Sequence, residues 1–448
     1  MATRTFFPLL VVALLAMIGA MPETVLAQGT PSPTASCVKV ESSDRCLPIA
    51  PDTERVDLSE PTFSNPTKIT NPLFPVSDQH SMLILGYIEK DPLRIEVTLL
   101  PKTQTIEWNG HQAETLISQF VAYLDGRIEE VAIDRYAQAD DGSVWYFGED
   151  VSDYENGVVA DTEGTWLAGK DGPPAMIMPA HPQVGDVYRS ENIPGSVFEQ
   201  VTVKTIDETV NGPTGPVEGT MVGQELHQEG DYEDKIFAPG YGEFRSASPG
   251  ELEALALGVP TDALSAPVPA EMTTLATGTS DLIDASSSGD WEAALTTVQN
   301  LSATWSAFRA QDVPDLVEYE VSEALNSLAG TVDAQDATAT GQAAINVERT
   351  ALDLQLRYRP PTEIDLARLD LMARQQLLDA AANDPAGVRS DVTFEELIWN
   401  RIASSVDQSI ATQIDVQLKQ LRAAADAGDL TAATTGANQL RALLTKVG

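Results

Sequence analysis

Basic residues are few in this chain: Lys and Arg number 27 against 67 Asp and Glu, a formal net charge of −40 over 448 residues. Phosphate backbones are gripped by concentrated Lys and Arg, so nucleic acid is excluded as a partner, and an anionic membrane surface is disfavoured for the same reason. Histidine is scarcer still. The four residues, His80, His111, His181 and His227, all lie in the first part of the chain, which leaves the remainder without the ligands of haem or of a Glu-x-x-His di-iron site. No G-x-S-x-G elbow, H-E-x-x-H, phosphate loop or dinucleotide loop occurs, which lowers the expectation of a familiar enzyme. Beyond the N-terminus no apolar run is long enough to span a bilayer. Acids exceed bases in both halves, so the charge reads as a general surface property that favours solubility.

The N-terminus carries Arg4, an apolar run over 6–20 and Val25-Leu26-Ala27 before Gln28. That pattern predicts a secretory signal over 1–27, with an exported, soluble mature protein. Cys37 follows Thr34-Ala35-Ser36, a faint lipoprotein-like site, but it stands too far beyond the apolar run to be processed that way. In an oxidising compartment the only two thiols, Cys37 and Cys46, are expected to form a disulfide. Residues 28–70, rich in Pro, Ser and Thr, read as a linker around that small loop.

From residue 71 the turn pairs Asn109-Gly110, Asp125-Gly126 and Asp141-Gly142 recur sixteen residues apart, which leaves single long strands between them. The best-determined hairpin spans 134–154. Further strands are expected over 80–88, 93–100, 187–192, 198–210, 219–227 and 234–245, and a Pro-rich loop over 164–182 is expected to pack on the sheet. Long neighbouring strands coil through their right-handed twist, so 71–246 is predicted as a curved antiparallel sheet, a half-barrel-like meander with a concave face. Pro249, Gly250, Pro260, Pro267 and Pro269 suggest a linker over 247–270.

After it the apolar period becomes helical. Trp291, Ala294, Val298, Leu301, Trp305 and Phe308 form one stripe, and Ile398, Ile402, Val406, Ile410, Ile414 and Leu418 form another. Leu282, Ala285, Gly289, Asp290, Ala294 and Leu301 recur at one constant offset as Leu421, Ala424, Gly428, Asp429, Ala433 and Leu440. Each copy reads as helix, Gly stop, Asp cap and helix. The fold class is therefore α+β in separate domains, with 271–448 an antiparallel helical bundle of related hairpins.

Tyr136-Ala137-Gln138, Trp145-Tyr146-Phe147-Gly148-Glu149-Asp150, Ile177-Met178-Pro179-Ala180 and Phe237-Ala238-Pro239-Gly240-Tyr241-Gly242 resemble a group of secreted bacterial proteins of unknown function. The resemblance covers 63–246 and implies an extracytoplasmic β domain without naming an activity. The last motif is also similar to envelope proteins with curved antiparallel sheets.

Several constellations carry candidate chemistry. Met176 and Met178 with His181 suit Cu(I), although methionine in a covering loop is also a natural gap-filler. Asp140, Asp141, Glu149, Asp150, Asp153 and Glu155 gather oxygen donors as calcium would need, without the spacing of a calcium loop. Glu225-x-His227 places an acid and a base on one strand face, where plain exposed surface is the alternative. Arg357, Arg359, Arg368 and Arg374 flank Pro360-Pro361 and could clamp an anion, but Asp353, Asp365 and Asp370 stand at helix-pairing distances from them. On the strand around Leu116, Phe120 and Leu124, apolar residues alternate with the equally apolar Ile117, Val121 and Tyr123. With Trp145 and Phe147 they are the candidate ligand wall. The resulting expectation is a secreted, non-catalytic binding or interaction protein holding an apolar or amphipathic ligand on its concave face. Another envelope protein is the other partner considered, and an unfamiliar enzyme using the acidic rim or Glu225 and His227, or a copper handler, are the alternatives.

Overall fold

The computed structural model describes residues 37–40 and 43–447. The signal segment expected over 1–27 lies outside them. Asn109 and Gly110, and Asp125 and Gly126, take the positive φ values of tight hairpin turns. They join β2 (Asp91–Trp108), β3 (His111–Leu124) and β4 (Arg127–Gln138), and with β1 (Ser81–Ile88) and β5 (Val144–Glu155) these strands form one meander. The short β6 (Val158–Asp161), β7 (Trp166–Leu167) and β8 (Ala175–Met178) all pair with β5. A second meander follows: β9 (Val187–Ile193), β10 (Val197–Gly212), β11 (Gly215–His227), β12 (Tyr232–Ala238), β13 (Gly242–Ser248) and β14 (Glu251–Val259). β14 pairs with β1, so the two meanders join into one open antiparallel sheet of 14 strands.

That pairing corrects the linker expected over 247–270. Pro249-Gly250 is the turn of a hairpin, and the residues beyond it form a central strand held between β13 and β1. The connection to the helices shrinks to 260–269. Residues 28–36, 41 and 42 of the expected linker lie outside the described residues, and the rest of that stretch is likewise not a free linker. Phe63 packs edge-on against Trp108 and Phe147, Asp140 accepts hydrogen bonds from the Ser64 backbone N–H at 2.7 Å and the Thr62 hydroxyl at 2.9 Å, and Ile69 is buried. The Cys37–Cys46 disulfide is present, and Val38, Val40 and Leu47 around it pack on Phe198 and Leu226. Its apolar residues were too widely spaced to show a period, which is why the segment reads as linker in sequence.

Among the described residues eight α-helices follow the sheet: α1 (Ala270–Ser288), α2 (Trp291–Phe308), α3 (Asp315–Asp333), α4 (Ala337–Gln355), α5 (Pro361–Ala381), α6 (Pro385–Ile402), α7 (Gln408–Asp426) and α8 (Leu430–Leu444). The repeat is visible in their joints. Gly289 and Gly428 both have positive φ, and Asp290 and Asp429 each accept the backbone N–H three residues on. None of the described helices is long and apolar enough to cross a membrane.

Sheet and helices are segregated along the chain, yet they share packed surface. Leu83, Leu85, Leu257 and Val259 belong to the same core as the inner stripes of α1 to α5. Tyr123 of β3 stacks on Phe394 of α6 with ring centroids 3.9 Å apart. Because Ala263, Leu264, Ser265, Ala266 and Pro267 are exposed, proteinase K is expected to nick the chain there, with both products still eluting as one particle. Products that separate on size exclusion, or a first cut within 247–258, would contradict the shared core.

Candidate functional site

Side chains on a strand alternate between faces, so the register assigns each residue to the helix-covered face or to the opposite one. Gln119, Val121 and Tyr123 of β3 face the helices: Arg401 of α6 donates to Gln119 Oε1 at 2.7 Å. Leu116, Ser118, Phe120 and Leu124 therefore lie on the opposite, inner face. Register carries that face to Asp134 and Tyr136 on β4, and to Tyr146 and Glu149 on β5. On the second meander it carries Tyr188, Glu191, Glu199, Val201, Glu225, His227, Glu233, Lys235, Ser246 and Glu253. The sheet curls so that these two sets face each other: Lys235 on β12 acts electrostatically on Glu130 of β4, and Glu243 on Tyr136.

Lys235 is the hub. Seven carboxylates feel its charge: Glu130, Glu199, Glu225, Glu233, Glu243, Glu251 and Glu253. Its Nζ lies 3.0 Å from Glu225 Oε2 and 3.9 Å from Glu243 Oε1. The first contact is an ion pair without hydrogen-bond alignment, since Glu225 Oε2 has no hydrogen-bond partner. His227 Nδ1 lies 3.1 Å from Glu199 Oε1, and its Nε2 lies 3.7 Å from Glu233 Oε2. Burial opposes the imidazolium, but the bonds to Glu199 and Glu233 outweigh it and raise the ring to about 11. Burial likewise works against ionised Glu199 and Glu233, and His227 overrides it, holding each at about 2.

The remaining acids have no histidine partner, and among them Lys235 pairs with Glu225 and Glu243. Burial, then repulsion from Asp153, raises Glu130 to about 8; burial, then Glu243, raises Glu253 to about 8. Glu191 is raised to about 8 by burial and Glu199, and Glu225 to about 7 by burial despite Lys235. The inner face thus holds more carboxyl groups than its two cations balance, and several of them keep their protons near neutral pH.

Glu199, Glu225 and His227 have donor atoms all within 4.8 Å of one another, a set that would suit a divalent cation. His227 is already held as an imidazolium by two carboxylates, and Lys235 occupies the position beside Glu225, so the cluster is filled by cations of its own. The sequence singled out Glu225 and His227 but weighed them as exposed strand surface; they are buried, 3% and 8% exposed. Glu130, Glu191, Glu199, Glu233, Lys235 and Glu253 were missed. The available signal was polar alternation on β11, β12 and β14, in Glu225-x-His227, Glu233-x-Lys235 and Glu251-x-Glu253.

The other candidates separate. Leu116, Phe120 and Leu124 are partly buried on the inner face, but Trp145 and Phe147 point to the other face, where Phe63 covers Phe147. The five do not form one wall. Met176 and Met178 are buried in the aromatic core with Trp145 and Trp166, while His181 is exposed, so the copper set is divided between two environments. The calcium candidates scatter as well: Asp140 binds Ser64, Asp141 binds Ser143, Asp150 pairs with Arg135, and Glu149 turns inward.

The arginines near Pro360-Pro361 are structural. Arg374 pairs with Asp370 as the spacing predicts, at 3.2 Å, but Asp353 pairs with Arg94 and Arg368 rather than Arg357. Arg357 instead donates to the Asp312 and Asp262 backbone carbonyls. No protein-family model matches the chain, and no curated protein matches it.

Proposed function

We propose that this is an exported, non-catalytic binding protein whose inner β face takes an amphipathic cation, an amine or guanidinium carrying an apolar tail. The observation that carries this reading is the excess of seven carboxylates over Lys235 and His227, beside the apolar row Leu116, Phe120 and Leu124 on the same face. A positive head group satisfies carboxylates that otherwise hold protons, and the tail covers partly buried apolar side chains. Two further properties fit. Glu199, Glu233 and Lys235 keep 24%, 17% and 22% of their side-chain surface exposed, so the cluster is reachable. The overall charge of −40 also draws cations toward the protein.

Calorimetric titration with dodecyltrimethylammonium below its micelle concentration tests the reading. Saturable binding is expected, weakened by salt and by the double change Glu225→Gln with Glu253→Gln, and a neutral dodecyl ether should bind at least about tenfold more weakly. Equal binding of the neutral ether would leave only an apolar site. Absence of saturable binding by either would remove the inner face as a ligand site.

A further inference from the structure

A second concavity lies on the outer face, independent of the acidic interior. Tyr188 and Arg189 are successive strand residues, so if Tyr188 faces inward Arg189 faces outward. There, where residues 55–57 run beside β9, a cavity of about 290 Å³ opens between Trp108, Trp145 and Pro173-Pro174, with Arg189 and Asn192 in its wall. That volume is near the lower end of small-ligand pockets, about 300–1,000 Å³.

Its charge is unlike the rest of the molecule. Buried guanidinium groups are normally matched by an acid. Asp57 beside the cavity is committed to Arg55, which donates to both its carboxylate oxygens at 2.9 and 2.7 Å. Arg189 gives Asp57 only its backbone N–H, at 3.1 Å. The guanidinium of Arg189 donates from Nη1 to the neutral Asn192 Oδ1 at 3.0 Å, rests 5.1 Å from the centre of the Phe198 ring, and leaves Nε without a partner although the residue is only 7% exposed. It takes part in no ion pair among the described residues. Glu60, the other acid in the wall, lies 3.2 Å from His111. Asp57 and Asp52 act on Arg189 only through space, so in a chain with 67 acids its buried guanidinium still has no carboxylate in contact, which marks a place for an anion from outside.

We propose that this cavity binds a small carboxylate that carries a flat ring, its carboxylate on Arg189 and Asn192 and its ring against Trp108 and Trp145. A charge-assisted bond to the guanidinium orients the ligand, and the indole and proline faces supply the apolar contact. The ring preference follows from the indole and proline faces that line one part of the cavity, while Arg189 and Asn192 stand among its polar lining.

Benzoate, with benzyl alcohol as its uncharged counterpart, tests this on the full chain by tryptophan fluorescence and calorimetry. Benzoate is expected to bind saturably, benzyl alcohol about tenfold more weakly, and Arg189→Gln to remove the difference between them. Trp145→Phe should weaken both ligands while keeping the preference for the acid. Equal affinity of the two probes for the unaltered protein overturns the proposal without reference to any variant, as does the lack of saturable benzoate binding. A folded Arg189→Gln protein that still prefers benzoate overturns it too.

Discussion

Replacement of Glu96 by Ala is expected to lower the stability of the whole protein by about 3–5 kcal/mol. Glu96 on β2 accepts from Arg94 Nη2 at 2.8 Å and from Arg401 Nη1 at 2.8 Å, with Arg368 Nη1 at 3.5 Å. Asp353 and Asp365 complete the group: Asp353 takes Arg94 at 2.7 Å and Arg368 at 2.7 Å, and Asp365 lies 3.4 Å from both Arg368 and Arg401. Three arginines therefore meet three carboxylates, all buried between the sheet and helices α4, α5 and α6. The group is neutral as a whole. Removing Glu96 leaves three guanidinium groups against two acids in a buried site. Reducing both signs together should cost less, so Glu96→Gln combined with Arg401→Met is expected to recover part of the loss. Urea unfolding measures this, and it should also show sheet and helices separating into two transitions in the Ala variant, because the network is what ties β2 to the bundle. An unfolding free energy within about 1 kcal/mol of the unaltered protein would show that packing alone holds the two layers together.

This network illustrates what the sequence could and could not convey. Arg368 stands three residues after Asp365, a spacing that fits an exposed helix pair and a buried hub equally well. What separates the two is Glu96, 272 residues away, which no local pattern reaches. Local signals were read correctly where the physics is local: the positive φ of Asn109-Gly110 and Asp125-Gly126 fixed the long strands, and the Gly-Asp joints at 289 and 428 fixed the repeated helical hairpins. The β13–β14 hairpin was missed because Pro249-Gly250 suits a linker and a turn alike, and only pairing with β1 decides. The acidic site was half legible. Alternating charge on a strand ordinarily marks its solvent face. Here the disulfide loop covers Leu226 and Phe198 on the other face, and the curl of the sheet turns the charged face inward, so Glu225 and His227 were noticed while their burial was not.

That inward turn sets the pH response, and the expected result is a protein most stable near pH 5 that weakens toward pH 8. Glu130, Glu191 and Glu253 titrate at about 8 in the fold and Glu225 at about 7, all well above an ordinary glutamate. Between roughly pH 4.5 and 8 the folded chain therefore holds protons that the unfolded chain has released, so stability falls as pH rises through that window. His227 adds to the trend in the same sense. Its folded value of about 11 gives a contribution that is complete below its unfolded value, roughly pH 6.5, and is lost as pH climbs toward 11. Glu199 and Glu233 work the other way at the acid end: held at about 2, they contribute above roughly pH 4.5, and that contribution disappears as pH falls toward 2. The groups are partly reachable by water, so the net loss from pH 5 to pH 8 should be on the order of 3 kcal/mol, or roughly 5 °C in thermal midpoint. Calorimetric scans across that range measure it, and the Glu225→Gln with Glu253→Gln protein should show a flatter decline. A midpoint that rises between pH 5 and pH 8 would mean that these carboxylates ionise freely in the fold. The same linkage couples pH to the proposed ligand. A cation that replaces protons on the inner face should raise the midpoint more at pH 8, where the carboxylates are ionised, than at pH 5, and equal increments at both would place the cation elsewhere.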